Sequence, residues 1–221
     1  MAALVRGRDP DEPLPPMGKA FRARLDLPYG AHLMTSPLGL KEGKLLLRLP
    51  WGQEASCPWK AVEGLALPGK DRLFLSFSKP LRVEETPYLG PGHPFLFPWK
   101  RNLSCLGTPL RAGGKRWPLG LGVHSRCRLF FALNGEWKFF FSLAAVDDSA
   151  LKLPVQGDAA VRVYLDGKIL WEKKSLKGGE GPVAVGPLDV SGGKELALEV
   201  DFGNSLHLGD RVDWILPVLF R

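Results

Sequence analysis

The sequence predicts an all-β protein, and three observations carry the prediction. Glycine and proline are abundant, at 26 and 20 of 221 residues, which is well above average usage and marks a chain full of turns. No stretch of helical length shows apolar residues at the i, i+3, i+4, i+7 spacing of an amphipathic helix. Short runs instead alternate apolar with polar residues, the period of two that sends successive side chains to opposite faces of a strand. With 45% hydrophobic residues the chain can fill a core, and its length suits one large or two small domains.

Taken in order, residues 1–19 are rich in Pro, Asp, Glu and Arg and hold little to bury, which predicts a disordered or extended leader. Within it, Leu14-Pro15-Pro16-Met17 suits polyproline II. Residues 20–87 predict a small β domain. Phe21 to Leu27 alternates, Lys44 to Leu49 follows a Glu42-Gly43 turn, and Ala55 to Leu67 holds a strand or two interrupted by Pro58. Leu73 to Phe77 and Leu81 to Glu85 flank Lys79-Pro80. Residues 88–117 read as a connector. Pro91, Pro94 and Pro98 forbid a central strand, while Tyr88, Phe95, Phe97 and Trp99 mark a segment that packs rather than a free linker.

Residues 118–221 predict a β-sandwich or jelly roll of seven or eight short strands. Cys127 to Leu133 and Trp137 to Ala144 flank Asn134-Gly135, the strongest short-range hairpin signal because both turn residues must take positive φ. The second run sets Trp137, Phe139, Phe141 and Leu143 on one apolar face. Ala159 to Leu165 alternates Val161, Val163 and Leu165 with Arg162 and Tyr164, then Asp166-Gly167 turns into Lys168 to Lys173, a second hairpin. Val183 to Val190 is broken at Gly186-Pro187. Glu195 to Phe202 sets Leu196, Leu198, Val200 and Phe202 against Ala197, Glu199 and Asp201. Trp214 to Phe220 closes the sheet.

The formal net charge is +7, spread without a block of like charges, which reads first as a solvated basic surface and second as a preference for anionic partners. Cys57, Cys105 and Cys127 are too few and too odd in number for a disulfide framework, with a Cys105 to Cys127 bridge left open. No Cys/His spacing points to zinc. The N-terminus lacks the apolar core of a signal peptide, and no run reaches transmembrane length. The compartment stays undetermined: a cytoplasmic protein, a piece of a longer exported one, or a misassigned start codon.

The motifs Gly120-Leu121-Gly122-Val123-His124-Ser125, Val146-Asp147-Asp148, Asp166-Gly167-Lys168, Asp189-Val190-Ser191-Gly192 and Asp210-Arg211-Val212-Asp213-Trp214 occur in that order. Over residues 98–221 they resemble the NPCBM family of carbohydrate-binding modules. The resemblance implies a galactose-binding-like jelly-roll β-sandwich that binds polysaccharide or glycan within an exported bacterial multi-domain protein. Two positions depart from the family pattern. The entry to the strand after Asp148 reads Asp158-Ala159-Ala160-Val161 where Gly-Ser-Val is common. The late His-Ala-Asp-Trp-like motif reads Arg211-Val212-Asp213-Trp214, so if that histidine contacts ligand in the family, this chain has lost the contact. The segment from Gly39 to Leu67 resembles the companion seen N-terminal to this module.

No catalytic constellation stands out: there is no Gly-x-Ser-x-Gly elbow, P-loop or His-Glu-x-x-His helix. Asp147 with Asp213 is the pair from which a hydrolase would be built, and capping of turns is the alternative for both. Asp147, Asp148 and Asp213 are also the candidate ligands of a structural calcium ion, which takes six to eight oxygens. Sugar recognition needs an aromatic face beside planar polar groups, which singles out Tyr164, Trp171 and Arg162. His124 is either a hydrogen-bond donor to a sugar or a half-buried residue fixing the strand entry. The reading is a non-catalytic glycan-binding module with no required cofactor. A β-sandwich that binds a protein partner instead is the alternative, and a glycoside hydrolase the remote one.

Overall fold

The computed structural model describes residues 23–28, 31–67, 69–90 and 92–221; the leader expected over residues 1–19 lies outside them. The described chain forms two compact units, one over residues 23–74 and one over Leu75–Arg221. Their regular elements are strands and short 3-10 turns, as the composition predicts.

The first unit contains β1 (Ala23–Asp26), β2 (His32–Lys41), β3 (Lys44–Arg48), β4 (Glu54–Pro58), β5 (Gly64–Ala66) and β6 (Arg72–Phe74). Five of these form an antiparallel sheet in the order β4-β3-β2-β1-β5. Glu42 and Gly43 both take positive φ in the β2–β3 turn, as the Glu42-Gly43 signal requires. Leu25, Leu45 and Leu47 are buried at its centre, with Leu33, Ala55 and Val62 packed on them. Strand β2 is disguised in the sequence by Pro37 and Gly39, and the pairing register with β3 shifts at that point; a bulge lets a strand absorb a proline. The strand expected to run to Phe77 stops at Phe74, and Leu75–Phe77 is a 3-10 turn.

The second unit holds β7 (Arg82–Glu85), β8 (Lys100–Arg101), β9 (Arg111–Ala112), β10 (Lys115–Arg116), β11 (Gly120–His124), β12 (Cys127–Ala132), β13 (Phe139–Val146), β14 (Asp158–Leu165), β15 (Lys168–Lys177), β16 (Val183–Asp189), β17 (Glu195–Asp201) and β18 (Arg211–Phe220). Two antiparallel sheets make the sandwich. One runs β16-β13-β18-β11-β8 and the other β15-β14-β17-β12-β7. Between them Leu121, Leu129, Phe131, Phe140, Leu196, Leu198, Val200 and Trp214 are all nearly or fully inaccessible. Each such side chain contributes roughly 1.5–3 kcal/mol relative to exposure.

Two expectations are corrected here. Cys127 to Leu133 and Trp137 to Ala144 are not a hairpin, because β12 and β13 lie in opposite sheets. Asn134 and Gly135 do take φ of 54° and 72°, but they turn a corner. Leu133 N–H donates to Lys194 O, Gly135 N–H to Gly193 O and Lys138 N–H to Phe220 O, so the corner is tied to other strands. Both runs are apolar because each faces the core from its own sheet. The apolar face of β13 is also the other one: Phe140, Ser142 and Ala144 are buried, while Phe139 is exposed. Buried Ser142 is satisfied by donating to Ile215 O at 3.0 Å. Strand β16 continues past Gly186-Pro187, but its pairing with β13 shifts register there, from Phe140–Leu188 to Ser142–Val185, so the expected break is a bulge in an edge strand, where a missing N–H is tolerated. The Asp166-Gly167 hairpin forms as expected, with Leu165 paired to Lys168.

The glycines of Gly120-Leu121-Gly122 have a packing reason. A Cβ on Gly122 would collide with the backbone of Leu103 and Ser104, and one on Gly120 with Trp214 O and Leu110. Strand β11 is buried along its whole length and has no room for side chains there.

Candidate functional site

The outer face of the β15-β14-β17-β12-β7 sheet carries a row of alternating charges. Cross-strand register lines up Glu84, Arg128, Glu199, Arg162 and Glu172, one from each strand. At the centre, Glu199 has no solvent exposure. It accepts from Arg128 Nη2 at 2.6 Å, Arg162 Nη1 at 3.1 Å and the Tyr164 hydroxyl at 2.6 Å. Burial pushes its carboxyl up, but those three donors outweigh burial and hold it below the usual glutamate value. Arg162 also pairs with Glu172 at 2.6 Å and Asp201 at 2.9 Å. Charge-assisted bonds of this kind fix guanidinium planes in place.

A second row lies beside it: Arg82, Phe130, Ala197 and Tyr164. Ala197 and Phe130 are each 4% exposed, and the Arg128 guanidinium lies over both rings, 4.7 Å from the Tyr164 centroid and 5.9 Å from that of Phe130. A shallow cavity of about 150 Å³ is lined by Arg82, Arg128, Phe130, Tyr164, Glu195 and Ala197 among others. A neighbouring cavity of about 130 Å³, lined by Glu84, Thr86, Arg126, Arg128 and Glu199, shares its wall. The site therefore offers aromatic faces, a phenol and planar donor and acceptor groups along one groove.

Of the residues singled out from sequence, Tyr164 and Arg162 stand on this face. Trp171 does not: it pairs with Val163, whose side chain points to the core, so it sits on the opposite side of the sheet. His124 is buried at one end of the sandwich, with Phe97 at a ring distance of 4.9 Å and Phe95 and His207 farther out. Its Nδ1 lies 3.0 Å from Ser125 O. Burial lowers its pKa, assisted by His207 and Arg211, so it is a neutral packing residue at pH 7. The connector aromatics supply this cluster, with Tyr88 stacked on His207 at 4.4 Å.

Asp147, Asp148 and Asp213 do come together, but as a structural lock. Asp147 accepts from Arg111 N–H at 3.0 Å and Ser149 N–H at 2.9 Å; Asp148 accepts from Gly113 N–H and Gly114 N–H. Asp213 is buried, and its pKa is raised well above the ordinary value by burial first and by Asp147 and Asp148 second. Neither of its two buried carboxyl oxygens has a hydrogen-bond partner. Four of the six oxygens, those of Asp147 and Asp148, are thus committed to backbone amides. Among the described residues no group of three or more His, Cys, Asp or Glu side chains could hold a metal ion. Asp147 and Asp213 are each about 1% exposed, so they face no cleft in which a glycosidic bond could sit. Cys57, Cys105 and Cys127 are all free, and burial pushes the Cys105 thiol up to about 12.

Arg128, Glu199, Phe130 and Arg82 were missed from sequence. Alternation in β12 and β17 puts Arg128 and Glu199 on outer faces, but only the register shows that they meet.

The fold agrees with comparisons to known proteins. A family model, the NPCBM/NEW2 domain, matches residues 81–219, starting one residue before β7 rather than at residue 98. A Renibacterium salmoninarum protein assigned as an endo-alpha-N-acetylgalactosaminidase is 26% identical over 108 residues, 49% of this chain and 7% of that protein. The CBM51 module of Clostridium perfringens GH95, solved with methyl-galactose, has a TM-score of 0.56 at 18% identity, over 67% of this chain and 99% of that one. The CBM51-2 and INT domains of Clostridium perfringens ZmpB, solved with GlcNAc, give 0.58 at 17% identity over 85% and 40%. Tandem CBM51 modules of Sp3GH98 from Streptococcus pneumoniae give 0.57 at 12% identity over 68% and 47%. These likenesses are of fold. The family match covers well over half of the sequence and takes in both sheets of the sandwich: this chain belongs to the NPCBM/NEW2 domain family.

Proposed function

We propose that this chain is a non-catalytic glycan-binding module of a larger exported bacterial protein, and that the glycan lies on the outer face of the β15-β14-β17-β12-β7 sheet. The observation that carries the reading is the shallow cavity of about 150 Å³ on this face, lined by Tyr164, Arg82, Glu195 and the fixed guanidinium of Arg128. Four guanidiniums and five carboxylates line this face, and each guanidinium is already paired: Arg82 with Glu195, Arg126 with Asp201, Arg128 with Glu199 and Arg162 with Glu172. Such a face suits hydroxyl and amide groups rather than an added anion. Family membership supports the carbohydrate class, and the solved relatives with methyl-galactose and GlcNAc support single neutral sugars as first probes. Burial of Asp147 and Asp213 supports the non-catalytic reading.

The test is a glycan array on the full chain, followed by calorimetric titration of the best ligand. Tyr164→Ala, which removes a ring from the wall of the cavity, is expected to weaken binding by at least about tenfold, roughly 1.4 kcal/mol, with melting curves to check that the variant is folded. Full affinity in that variant would move the site elsewhere, and silence of the wild type on every glycan would end the reading.

A further inference from the structure

The β9–β10 ribbon goes against a rule of cross-strand pairing. Arg111 stands directly opposite Arg116, which sets the two side chains about 5 Å apart at their base, and like charges so placed destabilise a pair. Lys115 follows beside them. Gly113 and Gly114, both at positive φ, turn the ribbon in two residues. Despite its charge the ribbon is firmly held. Arg111 N–H donates to Asp147, and Gly113 and Gly114 N–H donate to the two oxygens of Asp148. Ala112 is buried against Ala145 of β13 and Ile215 of β18. The ribbon therefore lies on the sheet opposite to the groove face, and exposed Arg111 and Lys115 stand on a fixed base.

Two further turns bring cations to the same corner. The 3-10 turn Asp148–Lys152 starts at the carboxylate that holds the ribbon tip and ends on exposed Lys152, about 8 Å on at roughly 2.0 Å per residue. The turn after β15 opens on exposed Lys177, and it brings Pro182 to 3.0 Å from where a Cβ of Gly113 would stand. The carboxylates of this corner are engaged: Asp147 and Asp148 by backbone amides, and Glu180 by Lys173 at 2.7 Å and by Lys177 N–H at 3.2 Å. Arg111, Lys115, Arg116, Lys152 and Lys177 thus share one corner. Cations gathered in this way attract an anionic chain and hold it through several contacts at once, and the fixed base limits the freedom lost on binding.

We propose that the β9–β10 ribbon, with Lys152 and Lys177, is a second binding surface, for a polysaccharide that carries carboxylate or sulfate groups. Single-stranded nucleic acid needs rings on which its bases stack. The ring at the ribbon, that of Trp117, is turned inward: its Nε1–H donates to Ala112 O at 3.2 Å and it packs on Ala112, Ala145 and Ile215. A polymer with anions spaced along its sugar rings asks only for spaced cations. The place of the surface and its preference for anions are read from this corner alone; the polysaccharide class rests on the glycan-binding reading above.

The experiment titrates the full chain with polygalacturonate, dextran sulfate, uncharged dextran, methyl-galactose and single-stranded and duplex DNA oligonucleotides, over a range of sodium chloride. It compares the wild type with Arg111→Gln/Lys115→Gln/Arg116→Gln and with Lys168→Gln/Lys174→Gln/Lys194→Gln. Both triples remove three positive charges from a chain of +7, and melting curves check that each is folded. The ribbon triple is expected to weaken binding of the two anionic polysaccharides by at least about tenfold and to lower the slope of log affinity against log salt by about two. The other triple should weaken it by less than about twofold, and the ribbon triple should bind methyl-galactose as the wild type does. Equal weakening by the two triples would leave net charge as the whole cause and overturn the surface. Tighter binding of either DNA than of both polysaccharides overturns the polymer class. A wild type that retains neither anionic polysaccharide at low salt ends the proposal and leaves the neutral-glycan reading untouched. Retention of both, with methyl-galactose unbound, does the reverse.

Discussion

Glu199 is a carboxylate with no exposure, kept charged by two guanidiniums and a phenol. Removing it strands Arg128 and Arg162, both still partly solvated, so Glu199→Ala is expected to cost about 2 kcal/mol, read as a shift in the urea midpoint. Glu199→Gln should cost less and still weaken glycan binding, because the amide can hold only part of the donor set. Asp210 works in the opposite sense. Burial raises its pKa to about 6, against hydrogen bonds from the Ser125 hydroxyl and Asp158 N–H. The folded state therefore binds its proton more tightly than the unfolded chain. That contribution is full below pH 4 and is lost as pH rises toward 6, by up to about 3 kcal/mol. Asp210→Asn should raise the melting temperature at pH 8 and leave it nearly unchanged at pH 4. Alternation alone placed Tyr164 and Arg162 outward in the sequence. It could not show that Trp171 sits opposite Val163, nor that Arg128 and Glu199 meet, since those facts depend on which strands pair and in what register.

Turn chemistry is local and was readable at the level of elements; partner choice is not. Asn134-Gly135 and Asp166-Gly167 carry the same signal and both adopt positive φ, yet one closes a hairpin and the other carries the chain between sheets. The difference lies in residues far away, the 193–194 backbone and Phe220, which take the hydrogen bonds. The same distinction separates two glycine substitutions. Gly135→Ala places a Cβ in open space at φ 72° and should cost about 1–2 kcal/mol. Gly122→Ala drives a Cβ into the Leu103 and Ser104 backbone and should cost more than about 3 kcal/mol, as overpacking does at its upper end. Chemical denaturation of the two variants side by side checks the order.

For the whole molecule, all-β architecture followed from composition and period, while the sandwich boundary did not. Leu81 to Glu85 reads as one more short strand of the preceding unit, but it pairs with β12 and belongs to the sandwich. The charge balance is likewise uneven. The chain carries +7, yet the groove face holds one more carboxylate than guanidinium. Acidic polymers such as heparin are therefore expected to be retained by other surfaces and released by about 0.5 M salt, where screening is nearly complete. Neutral glycans should stay bound. Affinity electrophoresis with and without salt separates the two.

Strand β7 is short and lies at the edge of its sheet, paired with β12. Cutting the chain at residue 88, a natural guess at a domain start, would take Arg82 and Glu84 away and leave the hydrogen-bonding side of β12 bare. An open edge of this kind accepts a donor strand from a second molecule, so the shortened protein should form strand-exchanged oligomers and, beyond them, fibrils.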